Sequence, residues 1–213
     1  MKEIKVRSTE EGVEAGLDVL AGAFTKQVGS LAFTGGNFGN AFLESFIKQE
    51  VHLKGVSFFQ TDERYVNLQS SYSIQKNIKE YFLNSVIYQN SSFNFFNTSH
   101  GIKDCLQEMN LVLESKNLKK FDFVLLSLAE DGHLAGHFPN SIYHSDKKFC
   151  YTLNSSKPPK ERISFSVPWL FEAKVVVLAA IGENKKIALR EFLRGNSLHS
   201  EFSRNKNLYI LRS

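Results

Sequence analysis

Two apolar segments, at residues 121–128 and 175–180, place the strongest constraint on the fold of this chain. Each has the length of a strand, and each is followed by a loop with a glycine, Gly132 in one case and Gly182 in the other. A short apolar run of this kind is typical of a strand whose two faces are both buried, as in a parallel sheet covered by helices. The two segments therefore predict central strands of an α/β fold.

The rest of the chain alternates between helical and extended patterns. Apolar residues at intervals of three and four predict helices at residues 9–28, 71–87, 101–117 and 184–193, and another directly after Gly35-Gly36. Short apolar runs predict strands at residues 31–34, 56–60, 93–96, 149–153, 162–167 and 208–211. This alternation implies a mostly parallel twisted sheet with helices on both faces, a Rossmann-like three-layer sandwich. Because no linker or repeat divides it, we expect residues 1–213 to form a single domain.

The composition narrows the classes of function. The 213 residues carry a formal net charge of +4 with scattered lysines, which argues against nucleic-acid binding. The longest apolar run has seven residues, too few to cross a membrane, and the first residues lack the apolar stretch of a signal peptide. Two cysteines without paired spacing fit a reducing compartment. We therefore expect a cytoplasmic protein that uses neither a metal nor a cofactor.

The segment at residues 34–39, Thr-Gly-Gly-Asn-Phe-Gly, joins a predicted strand to a predicted helix, at the sheet edge where such folds bind ligands. Glycines let the backbone approach an anion closely, and the first N–H groups of a helix carry partial positive charge. The segment lacks the GxGxxG spacing of a dinucleotide site and the terminal lysine of a P-loop. Gly35, Gly36 and Asn37 are therefore candidate phosphate ligands, with a plain tight turn as the alternative.

Three charged segments supply candidate partners for a substrate anion. Asp62, Glu63 and Arg64 follow the predicted strand at 56–60, and basic residues recur at 157–162 and 182–186. A guanidinium or ammonium at the carboxyl edge of the sheet can bind a phosphate, which makes Arg64 and the basic groups of the other two segments candidates. Solvated loops are the alternative for each segment.

The segment at residues 131–139, Asp-Gly-His-Leu-Ala-Gly-His-Phe-Pro, is the best suited to acid–base chemistry. An imidazole with a pKa of about 6.5 is a natural general base, and Asp131 precedes His133 closely enough to orient its ring. His133 and His137 have the spacing of zinc ligands on a helix, but nearby glycines disfavour a helix and no glutamate lies between them. A structural histidine in a turn is the other alternative. No GxSxG motif supports a serine hydrolase.

In this order, the motifs resemble those of the glucosamine-6-phosphate isomerase/6-phosphogluconolactonase family, from about residue 34 to residue 186. Its Ser-Gly-Gly turn is similar to residues 34–36, and its Asp-Glu-Arg-x-Val is matched in full by residues 62–66. Its Asp-Gly-His and trailing Phe-Pro are both present in the segment 131–139. Its Pro-Pro-x-x-Arg-Ile and Gly-x-x-Lys resemble residues 158–163 and 182–185. One departure is Ser-Leu-Ala-Glu at 127–130, where the family usually carries Gly-x-Gly-Pro.

The resemblance implies hydrolysis of 6-phosphogluconolactone, with His133 as the general base that activates water. Asp131 and Asp62 are then supporting residues, and the resemblance assigns the phosphate to Gly35, Gly36, Asn37, Arg64, Arg162 and Lys185. The deaminase branch uses a glutamate five residues after the histidine, whereas this chain has Phe138, which favours the lactonase. A deaminase or isomerase and a non-catalytic sugar-phosphate-binding protein are the alternatives. The expected partner is a small sugar phosphate, with no nucleic acid and no membrane, and the expected assembly is a monomer or homodimer.

Overall fold

The computed structural model describes residues 1–23, 29–49, 55–82 and 91–213. Its strands are β1 (Lys2–Lys5), β2 (Ser30–Phe33), β3 (Ser57–Gln60), β4 (Asp62–Arg64), β5 (Ser92–Asn94), β6 (Phe123–Ser127), β7 (His144–Ser145), β8 (Phe149–Thr152), β9 (Arg162–Phe165), β10 (Val175–Ala180) and β11 (Leu208–Arg212). Its α-helices are α1 (Thr9–Ala23), α2 (Gly36–Lys48), α3 (Ile74–Phe82), α4 (Ile102–Ser115), α5 (Val167–Phe171) and α6 (Lys186–Arg194). Short 3₁₀ helices lie at Glu183–Lys185 and Ser200–Arg204. Within these residues no helix is both long and apolar enough to span a membrane.

Seven parallel strands form the larger sheet, in the order β1-β11-β10-β6-β2-β3-β5. The predicted central strands, β6 and β10, pair with each other in its middle. Alternate residues of β6 enter two separate apolar clusters: Leu125 packs with α1, α2 and α3, whereas Leu126 packs with α4, α5 and α6. The largest fully buried side chains in the described part of the chain are phenylalanines. The three-layer α/β prediction is confirmed, and the single-domain organisation stays a prediction.

A second sheet of four antiparallel strands, β4-β9-β8-β7, was not predicted. The strands expected at 149–153 and 162–167 are present as β8 and β9, but they pair in this small sheet instead of the parallel one. Apolar runs show that a strand is buried without showing its pairing partner. The edge strand β1 was also missed, because its side chains are mostly exposed. The C-terminal parts of the helices predicted at 9–28 and 71–87 lie outside the described residues.

Thr61 joins the two sheets, because the chain passes directly from β3 to β4 through this residue. Its backbone N–H donates to the carbonyl of Phe33 at 2.9 Å, and its own carbonyl accepts the N–H of Phe165 at 3.0 Å. These bonds place the start of β4 beside the carboxyl end of β2. The residues after Thr61 therefore stand next to the edge where β2, β6 and β10 end.

Candidate active site

A cleft of about 350 Å³ opens at this edge, between the carboxyl ends of β2, β6 and β10 and the small sheet. Seven of the nine predicted site residues line it: Gly35, Gly36, Asn37, Asp62, Arg64, His133 and Lys185. Parallel strands bring their carboxyl ends to one edge, so residues far apart in sequence converge there. The other two, Asp131 and Arg162, lie outside the lining.

Asp131 lies behind His133 and orients its ring. The carboxylate oxygen Oδ1 is 2.6 Å from Nδ1 of His133 and also accepts the backbone N–H of His133 at 3.3 Å. An ionised carboxylate only accepts hydrogen bonds, so Nδ1 is the protonated nitrogen and Nε2 carries the free lone pair. The ring also stacks on Phe138, with centroids 4.1 Å apart. His133 is thus held in the tautomer and orientation of a general base.

Electrostatics favour the neutral form of His133. Burial lowers the pKa of His133 below its ordinary value, although the charges of Asp131 and Asp62 oppose that shift. Burial raises the pKa of Asp131, but the interactions with His133 and Lys157 outweigh it, so the net shift is downward. At neutral pH the pair therefore consists of an ionised Asp131 and an unprotonated His133, which is the state that a base needs.

The variant Asp131→Asn is expected to lower kcat about tenfold, because an amide orients the imidazole less firmly and does not stabilise its cation. The acid limb of the pH–rate profile should lie below the ordinary histidine pKa in the parent. It should move to still lower pH in Asp131→Asn, since the Asp131 charge raises the pKa of His133. The measurement is kcat/KM against pH, with Asp18→Asn on the exposed side of α1 as control. A shift of the limb to higher pH would contradict the pairing.

The start of α2 also lines the cleft. Gly35 precedes the first turn, and no side chain caps the N–H groups there. Gly36 has φ of +80°, in the left-handed region that favours glycine, and a Cβ on Gly39 would lie 2.0 Å from the carbonyl oxygen of Thr34. The glycines therefore permit the helix to start against the end of β2. Its uncapped N–H groups and helix dipole form a site for an anion.

Glu63 fixes the position of its neighbour Arg64. The carboxylate of Glu63 is fully buried and accepts the backbone N–H of Arg64 and of Ile74 at 2.8 Å each, and that of Gln75 at 2.7 Å. It ties β4 to the N-terminus of α3. The solvated-loop interpretation of this motif is therefore wrong, and Arg64 projects into the cleft with Nη1 3.0 Å from the carbonyl of Tyr72.

Side chains from three loops complete the rim of the cleft. The ammonium of Lys185 donates to Oγ of Ser127 at 2.9 Å. The ammonium of Lys157 lies 3.3 Å from Asp131 Oδ2 and 3.5 Å from Glu130 Oε1. Ser127, Glu130 and Lys157 were not among the nine predicted site residues, although each lies within or directly beside one of the motifs.

Comparison with known proteins agrees with the motifs and the fold. The sequence profile of the family described as glucosamine-6-phosphate isomerases/6-phosphogluconolactonase matches residues 9–204. The chain belongs to this family. It is 33% identical to 6-phosphogluconolactonase of Borreliella burgdorferi over 179 residues, which cover 81% of this chain and 76% of that protein. Two probable 6-phosphogluconolactonases of Oryza sativa are 30% and 32% identical to this chain. The first match covers 65% of this chain and 55% of that protein, and the second covers 62% of this chain and 49% of that protein.

Solved structures share the fold. 6-Phosphogluconolactonase from Trypanosoma cruzi superposes with a TM-score of 0.85 at 19% identity, over 99% of this chain and 93% of that one. A monomeric glucosamine-6-phosphate deaminase superposes with a TM-score of 0.81 at 16% identity, over 100% and 97%. Because both branches of the family share this fold, the side chains in the cleft must separate them.

Phe138 helps to distinguish the lactonase branch of the family from the deaminase branch. It occupies the position at which the resemblance leads us to expect a glutamate in a deaminase. Here the side chain is buried and its ring lies against His133. A phenyl ring neither takes up nor releases a proton, so this position contributes no acid or base.

Arg162 was expected to contact the phosphate, but the structure places it elsewhere. Its buried guanidinium donates to the carbonyls of Lys157 at 3.2 Å, Pro158 at 3.4 Å and Glu161 at 3.3 Å, and also to that of Pro159. It also lies over the ring of Phe138, 5.3 Å from the centroid. Arg162 therefore holds the loop that carries Lys157 and supports the ring under His133.

His137 faces the interior rather than the cleft. Its Nε2 lies 3.2 Å from the carbonyl of Phe165 and 2.9 Å from Sγ of Cys150. Burial lowers the pKa of His137 to about 4, which keeps it neutral. His133 and His137 therefore do not face a common ligand. Within residues 1–23, 29–49, 55–82 and 91–213, no group of three or more His, Cys, Asp or Glu is placed to hold a metal ion.

Proposed function

We propose that this protein hydrolyses 6-phospho-D-glucono-1,5-lactone to 6-phosphogluconate. The observation that carries the proposal is that His133, paired with Asp131, lines the same cleft as an uncapped helix N-terminus. The membership of the family and the named relatives support the same reaction. A lactonase needs a base for water, an anchor for the phosphate and donors for the developing oxyanion.

The phosphate binds at the start of α2 in this proposal. Gly35, Gly36 and Asn37 offer backbone N–H groups, and Arg64 and Lys185 supply positive charge from the two sides of the cleft. Burial lowers the pKa of Lys185, and the nearby Glu130 opposes that shift. A bound phosphate favours the charged ammonium further. The anchored phosphate then places the lactone ring toward His133.

The chemical step is general-base hydrolysis. Nε2 of His133 takes a proton from water as the water oxygen forms a bond to the carbonyl carbon C1. The tetrahedral intermediate collapses when the bond between C1 and the ring oxygen breaks, and the imidazolium returns its proton to that oxygen. Asp131 holds the ring and stabilises the imidazolium. Asp62, whose Oδ1 accepts a hydrogen bond from Thr61 Oγ1 at 2.8 Å, is assigned to a sugar hydroxyl.

A time course of lactone hydrolysis with and without the protein tests the function. The lactone also hydrolyses spontaneously, so the result expected is an initial rate proportional to protein concentration above that background. Glucosamine 6-phosphate should release no ammonia. No acceleration of lactone loss would contradict the proposal, and 6-phosphogluconate binding without acceleration would favour the sugar-phosphate-binding protein. A cytoplasmic location and a monomeric or homodimeric state stay predictions.

The variant Lys185→Ala is expected to raise KM about 10- to 100-fold with little change in kcat, because a charged hydrogen bond to the phosphate is lost in both ground and transition states. Steady-state kinetics on the lactone measure it. The matched control is Lys186→Ala, since Lys186 is the next residue and pairs with Glu183 outside the cleft. A fall in kcat at unchanged KM would place Lys185 in the chemical step instead.

A further inference from the structure

Glu130 places a negative charge in a cleft that we assign to an anionic substrate. Its side chain is 55% exposed, yet its carboxylate is held from two sides. Oε1 lies 3.5 Å from the ammonium of Lys157, and Oε2 accepts a hydrogen bond from Nδ2 of Asn184 at 3.0 Å. Because these partners come from two other loops, the charge is fixed at the rim of the cleft. A fixed charge acts on a ligand more specifically than a mobile one.

The part of the cleft around His133 carries an excess of negative charge. Asp131 bonds its ring directly, and the charge of Asp62 acts on the same ring. Glu130 is joined to this group through Lys157, whose ammonium contacts both Glu130 and Asp131. Asp131 and Glu130 thus share the ammonium of Lys157, and Asp62 interacts with the guanidinium of Arg162, so three carboxylates stand against two cations.

The other two cations that line the cleft, Arg64 and Lys185, belong to the phosphate side. Burial lowers the pKa of Lys185, and the charge of Glu130 opposes that shift, so Glu130 also acts on Lys185. In the proposed function, however, a bound phosphate engages Lys185 together with Arg64. Substrate binding therefore leaves the carboxylates near His133 without compensation from these two cations.

Hydrolysis changes the charge of the ligand at C1, the end that lies toward His133 in the proposed function. The lactone is uncharged at C1, whereas the product carries a carboxylate there after it releases a proton to solvent. We propose that Glu130 is a specificity-determining residue that repels the carboxylate of the product and so weakens product binding relative to lactone binding. This inference rests on the proposed function.

The experiment compares Glu130→Gln with the parent through one ratio, the Ki of 6-phosphogluconate divided by the KM of the lactone. Glutamine keeps the size of the side chain and removes its charge. The ratio should fall about three- to tenfold, because a like charge close to the product carboxylate is lost. The control is Glu183→Gln, which removes the same charge from a residue that is 83% exposed and outside the cleft. Its ratio should equal that of the parent.

A second ligand separates repulsion from loop positioning. Glucitol 6-phosphate has the open chain and the phosphate of the product but no carboxylate, so its Ki should not fall in Glu130→Gln. Equal changes for both inhibitors, or parallel increases in Ki and KM, would show that Glu130 only positions Lys157 and Asn184, and would overturn the inference. If the parent hydrolyses the lactone and the ratio is the same in Glu130→Gln as in the parent, only this inference is refuted. A parent without lactonase activity refutes the proposed function, and the inference falls with it.

Discussion

His133→Ala is expected to lower kcat/KM for the lactone by about 10²- to 10⁴-fold, the contribution of a positioned general base. The ring is held on two sides, by Asp131 at 2.6 Å and by Phe138 at 4.1 Å between centroids. Nδ1 carries the proton and Nε2 is free before substrate binds, so the base is already in the required tautomer. Little reorganisation therefore accompanies proton transfer. Removal of the ring leaves the phosphate anchor and the rest of the cleft intact. The loss should therefore fall on kcat, with KM changed little.

Two measurements separate loss of the base from loss of structure. Imidazole added to His133→Ala should restore part of the activity, because a small base can occupy the space that the side chain leaves. His144→Ala removes an exposed histidine outside the cleft lining and should retain parental kinetics. A His133→Ala protein that is folded and turns over at the parental kcat would remove His133 from the mechanism.

The catalytic and glycine motifs could be predicted from sequence because each is a local feature. The pair Asp131 and His133 is two residues apart, and the Gly35-Gly36 turn directly follows β2. The rule that parallel strands bring their carboxyl ends to one edge then joins them into one cleft without any knowledge of side-chain contacts. Seven of the nine predicted residues line that cleft for this reason.

The position of the Arg162 side chain could not be predicted in the same way, because it depends on strand pairing in the small sheet. Antiparallel pairing of β4 with β9 places Arg162 directly opposite Arg64. Two like charges at opposed positions repel, and although burial is the largest cause of the lowered pKa of Arg162, the charge of Arg64 lowers it further. The two guanidinium groups diverge, one into the cleft and the other toward the loop at 157–161. No local pattern in the sequence encodes that register.

Glu130 and Lys157 were not among the nine predicted site residues for a related reason. Both are charged loop residues, and composition alone makes a solvated position the default for such a side chain. Only the fold shows that the loops after β6 and β8 meet over the cleft, where the two charges lie 3.5 Å apart.

Arg162→Ala is expected to have the largest effect on stability, about 3 kcal/mol, because four backbone carbonyls lose their charged donor at a buried position. Burial lowers the pKa of Arg162 to about 10, so the group is still charged at neutral pH. The variant should also lower kcat, since the loop that holds Lys157 relaxes and Phe138 loses the cation over its ring. Chemical denaturation and steady-state kinetics on one preparation measure both effects.

Arg64→Ala is the matched control, because it removes the same side chain from the opposite residue of the strand pair. Arg64 lines the cleft and donates to one carbonyl. Its loss should raise KM and leave the denaturation midpoint near that of the parent, the reverse of the pattern for Arg162→Ala. Arg162→Lys should recover only part of the stability, since an ammonium cannot reproduce the planar set of donors. A parental midpoint together with a raised KM in Arg162→Ala would return Arg162 to the phosphate site.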